Sequence, residues 1–254
     1  MFRDNLRDKL TLTFDGQQLP PGVVVEGINR DFYPQITNIT TDLPGVDGVL
    51  FRRRNIGSRE VEVVVRVIED RVHLASESRS RLREKIHEMR QYFDSTEPKR
   101  LWCSDQPTTY DRAILTSIDG HVGRTNLKIS AKFLLPEGFS RSLHPIVREV
   151  PEAGKINLVY NGDFLTPITI TGTATAQTVI LANAATSDKM TITTAKTGGV
   201  VAIDSATETY REDGNLAQYK VPVTSDYLYI TPGANDLAFS GLKDVVITFE
   251  ARYL

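Results

Sequence analysis

The sequence of 254 residues contains one cysteine, Cys103, and no long apolar stretch. A single cysteine excludes a framework of intramolecular disulfides, and its position between Trp102 and Ser104 favours a buried, inert thiol over a nucleophile. The longest apolar runs, such as residues 61–68, are far shorter than the roughly 20 residues that span a bilayer. Residues 1–9 lack the apolar segment of a signal peptide, so we expect a protein that is made in a cytoplasm and does not enter a membrane.

Signatures of catalysis and metal binding are also missing. None of the four histidines has another at the spacing of zinc ligands; they are His73, His87, His121 and His144. His87-Glu88 begins like a zinc-binding helix motif, but Gln91 stands where the second histidine belongs. The sequence has neither a glycine-rich phosphate loop nor a Gly-x-Ser-x-Gly motif. We therefore predict no enzymatic activity, no metal site and no cofactor.

Charge of both signs is nearly balanced, because the net charge is −2 and 24% of the residues are charged. No bulk excess of one sign points to nucleic acid as a partner. The strongest local charge is the triple arginine Arg52-Arg53-Arg54. A nucleic-acid surface normally has more clustered basic residues with interleaved aromatics. We interpret the triplet as a solvated or subunit-facing edge, with nucleic-acid contact as the alternative.

Apolar residues recur with clear periods before position 140. Valines alternate with other residues in Val61–Ile68, which is typical of a half-buried strand, and Asn126–Leu135 alternates in the same way. Between Ser76 and Phe93 the apolar residues are spaced by three and four; they are Leu82, Ile86, Met89 and Phe93. This spacing predicts an amphipathic helix, which ends before Pro98.

Turn signals divide the first 60 residues. Asp15-Gly16 is a turn dipeptide after an alternating strand at residues 10–14. Gln35–Thr41 alternates without a decisive apolar face, and Leu43–Gly48 contains one proline and two glycines. We expect residues 43–58 to form a strand-and-loop arm.

The composition changes after residues 141–154, which have no clear period and are predicted to be a linker. In residues 155–254 arginine is rare, and short strands alternate with turn dipeptides; the dipeptides are Asn161-Gly162, Gly198-Gly199, Asp213-Gly214 and Pro232-Gly233. No amphipathic helix interrupts them, so we predict a β-sandwich or jelly roll. Lys243–Leu254 alternates most regularly, and we expect this strand in the middle of a sheet.

The order of these features resembles the siphophage distal tail protein family. In that family an Asp-x-Pro-x-x-Tyr turn follows the helix, and here Leu101 is followed by Asp105, Pro107 and Tyr110. Phe14-Asp15-Gly16 lies where the family has an early hairpin. Pro232-Gly233-Ala234-Asn235 before the alternating last strand resembles the end of longer members. The resemblance implies structural roles for Asp105, Pro107, Tyr110, Pro232, Gly233 and Asn235.

The fold that the resemblance implies is mainly β. Residues 1–140 would be an α+β domain, a β-sandwich with a hairpin or arm and one amphipathic helix. Residues 155–254 would be an all-β sandwich like a galectin or a carbohydrate-binding module. The first domain would form the ring described next.

The function that the resemblance implies is structural, at the tail tip of a phage with a long, non-contractile tail. Residues 1–140 would assemble as a homohexameric ring that joins the tail tube protein to the tail-associated tip protein and leaves a channel for DNA. The second domain would recruit receptor-binding or accessory baseplate proteins. The chain would be made in the bacterial host cytoplasm and would let DNA pass without binding it specifically.

A closed ring needs two complementary faces on each subunit. We assign one face to the arm, which can add a strand to a neighbour's sheet, and the other to the charged sides of the helix. The predicted interface residues are Leu43, Val49, Phe51, Arg52, Arg53 and Arg54 in the arm and Arg79, Arg83, Glu84 and Arg90 in the helix. Because clustered cations in the lumen would bind DNA phosphates, we predict that the triple arginine lies away from it.

Two other functions stay open. A carbohydrate-binding adsorption protein would recognise host cell-wall polysaccharide, and tyrosines of the second domain could stack on a sugar; they are Tyr210, Tyr219, Tyr227 and Tyr229. Residues 155–254 lack the histidine and tryptophan that galectins use, so the fold could be present without that chemistry. A hydrolase of cell-wall polymer would need an acidic pair in a cleft, and pairs such as Asp204 with Glu208 are expected by chance among 32 acidic residues.

Overall fold

The computed structural model describes residues 10–31, 33–42, 47–67, 75–122, 127–151 and 154–254. The chain divides into two compact units, the first ending at Ser140 and the second comprising Arg141–Tyr253. Strands dominate both units, so the mainly β class predicted from the sequence is confirmed. Among the described residues, no helix is long and apolar enough to cross a membrane.

The described residues of the first unit form one helix on an antiparallel sheet, with a separate hairpin. Its elements are β1 (Leu12–Phe14), β2 (Gln17–Gln18), β3 (Val23–Arg30), β4 (Ile36–Asp42), β5 (Val49–Ile56), β6 (Arg59–Val67), α1 (Ala75–Phe93), β7 (Lys99–Cys103), β8 (Thr109–Val122) and β9 (Leu127–Leu135), and β10 (Ser140–Ser142) follows at its end. Seven strands of its sheet follow one another in the order β2-β1-β7-β8-β9-β6-β3. In the part of the chain that the structure describes, strands β4 and β5 pair only with each other.

Alternation in the sequence determines which face of β6 is buried. Val61, Val63, Val65 and Val67 are all buried, as the sequence predicted. Burying each such side chain stabilises the unit by about 1.5–3 kcal/mol. Strands β9 and β3 flank β6, so both of its edges are paired as well.

The sheet of the first unit curls around α1. Phe14 on β1 and Phe133 on β9 are three strand spacings apart, about 14 Å in a flat sheet. Their ring centroids are only 5.9 Å apart, so the sheet must bend between them. Phe93 of α1 fills the concave side, because its ring lies 5.4 Å from Phe14 and 4.8 Å from Phe133.

The apolar stripe predicted for the helix is confirmed where its side chains are described. Met89 and Phe93 are fully buried, and Ile86 packs against the same core. The side chain of Leu82 lies outside the described residues. Tyr92 fixes the end of the helix to β1 and β2, since its hydroxyl accepts the Phe14 N–H at 3.0 Å and donates to the Gln17 carbonyl at 2.6 Å.

Two turn dipeptides expected from the sequence join neighbouring strands. Asp15 and Gly16 have φ values of +51° and +79° between β1 and β2, and Asp213 and Gly214 have +48° and +80°. Two successive left-handed residues form the turn whose twist suits a two-residue hairpin, and Asp-Gly is a preferred pair there. These predictions are confirmed.

The second unit is an all-β sandwich of two sheets. Its strands are β11 (Ile146–Glu149), β12 (Lys155–Tyr160), β13 (Thr166–Pro167), β14 (Thr169–Ala174), β15 (Val179–Asn183), β16 (Asp188–Ile192), β17 (Val200–Asp204), β18 (Thr209–Glu212), β19 (Asn215–Leu216), β20 (Tyr229–Ile230), β21 (Gly233–Ser240), β22 (Leu242–Phe249) and β23 (Arg252–Tyr253), with a 3-10 helix at Gln218–Lys220. One sheet has the order β11-β22-β14-β17-β18-β19, and the other β12-β21-β15-β16. Apolar side chains from both sheets form a single core.

The last long strand lies inside a sheet, as its alternation predicted, with β11 and β14 on either side. The predicted strand Lys243–Leu254 is too long, however, because β22 ends at Phe249. The next amides find other acceptors: Ala251 N–H donates to the Ser142 hydroxyl and Arg252 N–H to the Tyr160 hydroxyl, both at 2.9 Å. These bonds turn the backbone away from the β22 ladder.

The segment 141–154, predicted to be a linker, contains β11, which pairs with β22. This pairing explains how an irregular sequence acquires order, since four residues complete the edge of an existing sheet. The functional division into residues 1–140 and 155–254 stays a prediction.

Candidate assembly surface and its buried supports

The hairpin β4–β5 has no buried residue in either strand. Every residue of β5 is exposed, and Val49 and Phe51 each keep 58% of their surface accessible. Leu50, Ile36 and Ile56 are exposed as well, so the apolar surface is clustered on one hairpin. A cluster of this kind on a protein surface marks an interaction site. A two-stranded hairpin is also marginally stable by itself, which favours a docked state.

The triple arginine lies on β5 between Phe51 and Ile56. Arg52 donates to the Thr41 hydroxyl at 3.0 Å across the hairpin. Arg53 and Arg54 are exposed, and neither forms an ion pair within the described ranges. Their role as a contact between subunits stays a prediction.

The predicted interface residues fall on two elements. Val49, Phe51 and the three arginines are on β5, whereas Arg83, Glu84 and Arg90 are exposed residues of α1. Leu43 lies outside the described residues, and so does the side chain of Arg79. The charged side of the helix includes an ion pair of 2.5 Å between Lys85 Nζ and Glu88 Oε2.

Four charged residues and one serine bind one another at the base of the hairpin, and this group was not predicted from the sequence. Asp111 is buried on β8 and lies between two arginines, with Arg30 Nη1 2.5 Å from Oδ2 and Arg59 Nη2 3.4 Å from Oδ1. Ser140 donates to Asp111 Oδ1 at 2.6 Å and accepts from Arg59 at 2.9 Å. Arg30 also binds both oxygens of Asp105, at 3.0 and 3.2 Å. We call these five residues the buried ion network, after its buried centre of Arg59, Asp111 and Ser140; Arg30 is partly buried and Asp105 is exposed.

Burial and charge act against each other in this network. Burial lowers the pKa of Arg59 below its ordinary value, and the carboxylate of Asp111 offsets only part of that effect. Burial also disfavours the charge of Arg30, but its hydrogen bond to Asp105 and the attraction of Asp111 outweigh burial and raise its pKa. Both arginines stay charged, so the network depends on its carboxylates.

The sequence contained one signal for this network. Arg59 has the same parity as the buried valines of β6, and Asp111 has the same parity as the buried Ala113 on β8. Because side chains alternate between the two faces of a strand, both charged side chains are placed on the buried face. A charge at an inward position needs a buried partner, but alternation does not identify that partner.

The Asp-x-Pro-x-x-Tyr turn is stabilised at each of its named residues. Asp105 binds Arg30, as described above. The carbonyl of Pro107 accepts a hydrogen bond of 3.2 Å from the Trp102 indole. The guanidinium of Arg100 lies 4.2 Å from the centre of the Tyr110 ring, a cation–π contact. The turn between β7 and β8 is thus fixed on both sides.

Asn235 organises the turn that precedes β21. It is fully buried, its amide group donates to the carbonyls of Thr231 at 2.7 Å and Gly233 at 3.1 Å, and its oxygen accepts the Thr231 N–H at 2.9 Å. The same oxygen accepts from Asn183 at 3.1 Å. One side chain therefore closes the loop around Pro232 and joins it to β15.

Replacing Asn235 with alanine is expected to destabilise the protein by about 2–4 kcal/mol, because several buried polar groups lose their partners together. Chemical unfolding measured by circular dichroism tests this. Asn157→Ala is the control, since its side chain bonds to Asp236 at an exposed position, and a change below about 1 kcal/mol is expected there. Equal effects of the two substitutions would contradict the role of Asn235.

The cysteine and most of the tyrosines considered in the sequence analysis are buried or partly buried. Cys103 is buried, as expected, and burial raises its pKa to about 12, so the reactive thiolate is scarce at neutral pH. Tyr210 is fully buried and Tyr227 and Tyr229 are partly buried, which leaves only Tyr219, 84% exposed, as an open ring among the four tyrosines. Within the described residues no cluster of acidic, histidine or cysteine side chains could hold a metal ion.

Two family models match the sequence. A phage tail protein RIFT-related domain matches residues 18–136, and a siphovirus-type tail component C-terminal domain matches residues 161–253. The two matches together cover most of the chain, and both descriptions are of phage tails. The chain belongs to the siphophage distal tail protein family. It is a structural component of a virion tail, and the family is not one of enzymes.

A solved structure shares this fold. The crystal structure of the SPP1 Dit protein, described as a paradigm of the hub adsorption apparatus in phages that infect Gram-positive bacteria, is 17% identical with a TM-score of 0.80, and the match covers 96% of this chain and 99% of that one. A structure of the phage P2 baseplate in its activated conformation with Ca is 8% identical with a TM-score of 0.48, covering 96% and 97%. The first match establishes the fold, and the second is too weak to add to it. No curated protein sequence matches the chain.

Proposed function

We propose that the chain is the distal tail hub of a phage with a long, non-contractile tail, and that six copies close into a ring around a channel for DNA. The observation that carries this proposal is the clustering of exposed apolar residues on hairpin β4–β5, which holds Ile36, Val49, Leu50, Phe51 and Ile56. Interface cores of assembled proteins are built from such residues.

The ring interface would be heterologous, with a different face of each subunit at its two sides. Hairpin β4–β5 supplies one face. Strand β3 is a candidate for the other, because it lies at the end of the sheet order and, among the described residues, pairs on one side only, with β6. Both β3 and β5 have eight residues, so strand addition could run along their whole length. The charged side of α1 is the second candidate for this face.

The ring would join the tail tube protein on one side and the tail-associated tip protein on the other. The second unit, a two-sheet sandwich like that of galectins and carbohydrate-binding modules, would recruit receptor-binding or accessory baseplate proteins. The protein would be made in the host cytoplasm and would need no cofactor. The triple arginine would face away from the lumen, so that DNA passes without being bound.

The purified chain is expected to form hexamers, or oligomers that grow with concentration, when it is examined by sedimentation and by negative-stain microscopy. The apolar hairpin supplies the driving force, so association should persist in high salt, where exposed ion pairs are screened. Monomers at every concentration, together with absence of the protein from immunolabelled virions, would refute the proposal.

A carbohydrate-binding adsorption protein is the second candidate function. It rests on exposed Tyr219, which borders a groove of about 630 Å³ that Tyr227 and Asp226 also line. A single open ring beside carboxylates is a weaker basis than the exposed hairpin. Saturable binding of the chain to host cell-wall polysaccharide would distinguish this function from a purely structural one.

A further inference from the structure

The hairpin is connected to the sheet of the first unit through two arginines. Arg30 is the last residue of β3, before the chain enters the hairpin, and Arg59 is the first residue of β6, after the chain leaves it. Both side chains reach the same carboxylate, that of Asp111 on β8. One buried group therefore binds both sides of the hairpin base.

Two further segments take part in the same contacts. The Ser140 hydroxyl lies between Asp111 and Arg59, where it donates to the first and accepts from the second. Asp105, in the turn before β8, binds Arg30 through two hydrogen bonds. Such a two-point bond restricts the plane of the guanidinium as well as its position. The buried ion network thus fixes the hairpin base from several directions.

Backbone hydrogen bonds also join the two sides of the hairpin base. Gly57 N–H donates to the Gln35 carbonyl at 2.7 Å, and Asp31 N–H donates to the Glu60 carbonyl at 3.1 Å. Strands β4 and β5 have no buried residue, so no side chain of theirs is packed into a core. The contacts at the base of the hairpin therefore determine its angle to the sheet.

We infer that the buried ion network positions hairpin β4–β5, so that Arg30, Arg59, Asp111 and Ser140 are positioning residues for the assembly surface. Buried ion pairs often add little stability compared with apolar residues, whereas their directional bonds restrict geometry. A hairpin fixed at one angle loses less conformational freedom when it docks, which strengthens binding. The use of the hairpin in assembly rests on the proposed function, but its positioning is a property of the single chain.

The test is amide hydrogen exchange, followed by NMR, in the isolated chain with Ser140→Ala. This change removes one hydroxyl and keeps every charge. We expect the amides of Gly57 and Asp31 at the hairpin base to exchange about tenfold faster, while those of paired strands β6 and β9 stay unchanged. Ser142→Ala is the matched control, because its buried hydroxyl accepts from Ala251 in the second unit and its loss should leave the hairpin base as it was.

Arg59→Lys provides a second variant, since lysine keeps the charge but lacks the planar guanidinium whose Nη2 donates to both Asp111 and Ser140. It is expected to give the same pattern as Ser140→Ala. Unchanged exchange at the hairpin base in both variants would overturn the inference. Equal acceleration throughout β6 and β9 would also overturn it, because it would show general stabilisation without positioning. A chain that never forms rings but shows the expected pattern would refute the proposed function alone.

Discussion

Replacing Val49 and Phe51 together with serine is expected to abolish ring formation and to leave the chain folded. Both residues lie on β5, where no side chain is buried, so neither core loses a contact. In an interface, a central apolar anchor contributes about 2 kcal/mol or more, which is roughly thirtyfold in the dissociation constant per residue. The double substitution should therefore prevent association at micromolar concentration.

Mass photometry measures whether rings form, and thermal unfolding measures whether the chain stays folded. Val147 and Val159 are exposed valines of the second unit, and their double replacement by serine is the control. The control should assemble normally, because the ring is assigned to the first unit. Rings that persist after the loss of Val49 and Phe51 would exclude the hairpin as the assembly surface.

Replacing Asp111 with alanine is expected to destabilise the first unit by about 3–5 kcal/mol. The substitution leaves buried Arg59 and partly buried Arg30 without their shared carboxylate, and removing one partner of a buried ion pair has a cost of this size. Arg59 Nε already has no acceptor among the described residues, so the guanidinium has little to replace the lost contact. Unfolding in urea, followed by tryptophan fluorescence, measures this unit because Trp102, the only tryptophan, lies on β7.

Glu26→Ala is the matched control for Asp111→Ala. Glu26 also lies between two basic side chains, at 3.7 Å from Arg66 and 2.6 Å from Lys128, but its pairs are partly exposed. Exposed ion pairs contribute about 0–1 kcal/mol, so the control should unfold almost like the natural chain. If Asp111→Ala lowers the free energy of unfolding no more than the control does, water replaces the carboxylate and the expectation is wrong.

Several elements could be predicted from the sequence because their pattern reports burial directly. Alternation correctly placed the valines of β6 and the apolar residues of β22 on buried faces. A spacing of three and four residues correctly placed Met89 and Phe93 on the buried face of the helix. Asp-Gly dipeptides located two hairpin turns, since few other pairs accept two left-handed residues. Each of these signals is local, so no knowledge of distant residues was needed.

The features that the sequence did not predict depend on distant residues. Arg30 and Asp111 are 81 positions apart, and parity directs Asp111 inward without identifying the arginine that meets it. The end of β22 is determined by hydroxyls of Ser142 and Tyr160, about a hundred residues away in the chain. The residues of a subunit interface are determined by the neighbouring subunit as well as by the chain itself. The exposed apolar residues of β5 indicate one side of such an interface, and the other side lies on a second molecule.

The exposure of hairpin β4–β5 has an evolutionary consequence. Because neither strand supplies a buried side chain, most substitutions there should change the free energy of folding by less than about 0.5 kcal/mol. Selection for a stable monomer thus leaves this stretch almost unconstrained. Related viruses could alter which neighbours they accept by mutating the hairpin, while both folded units stay as they are.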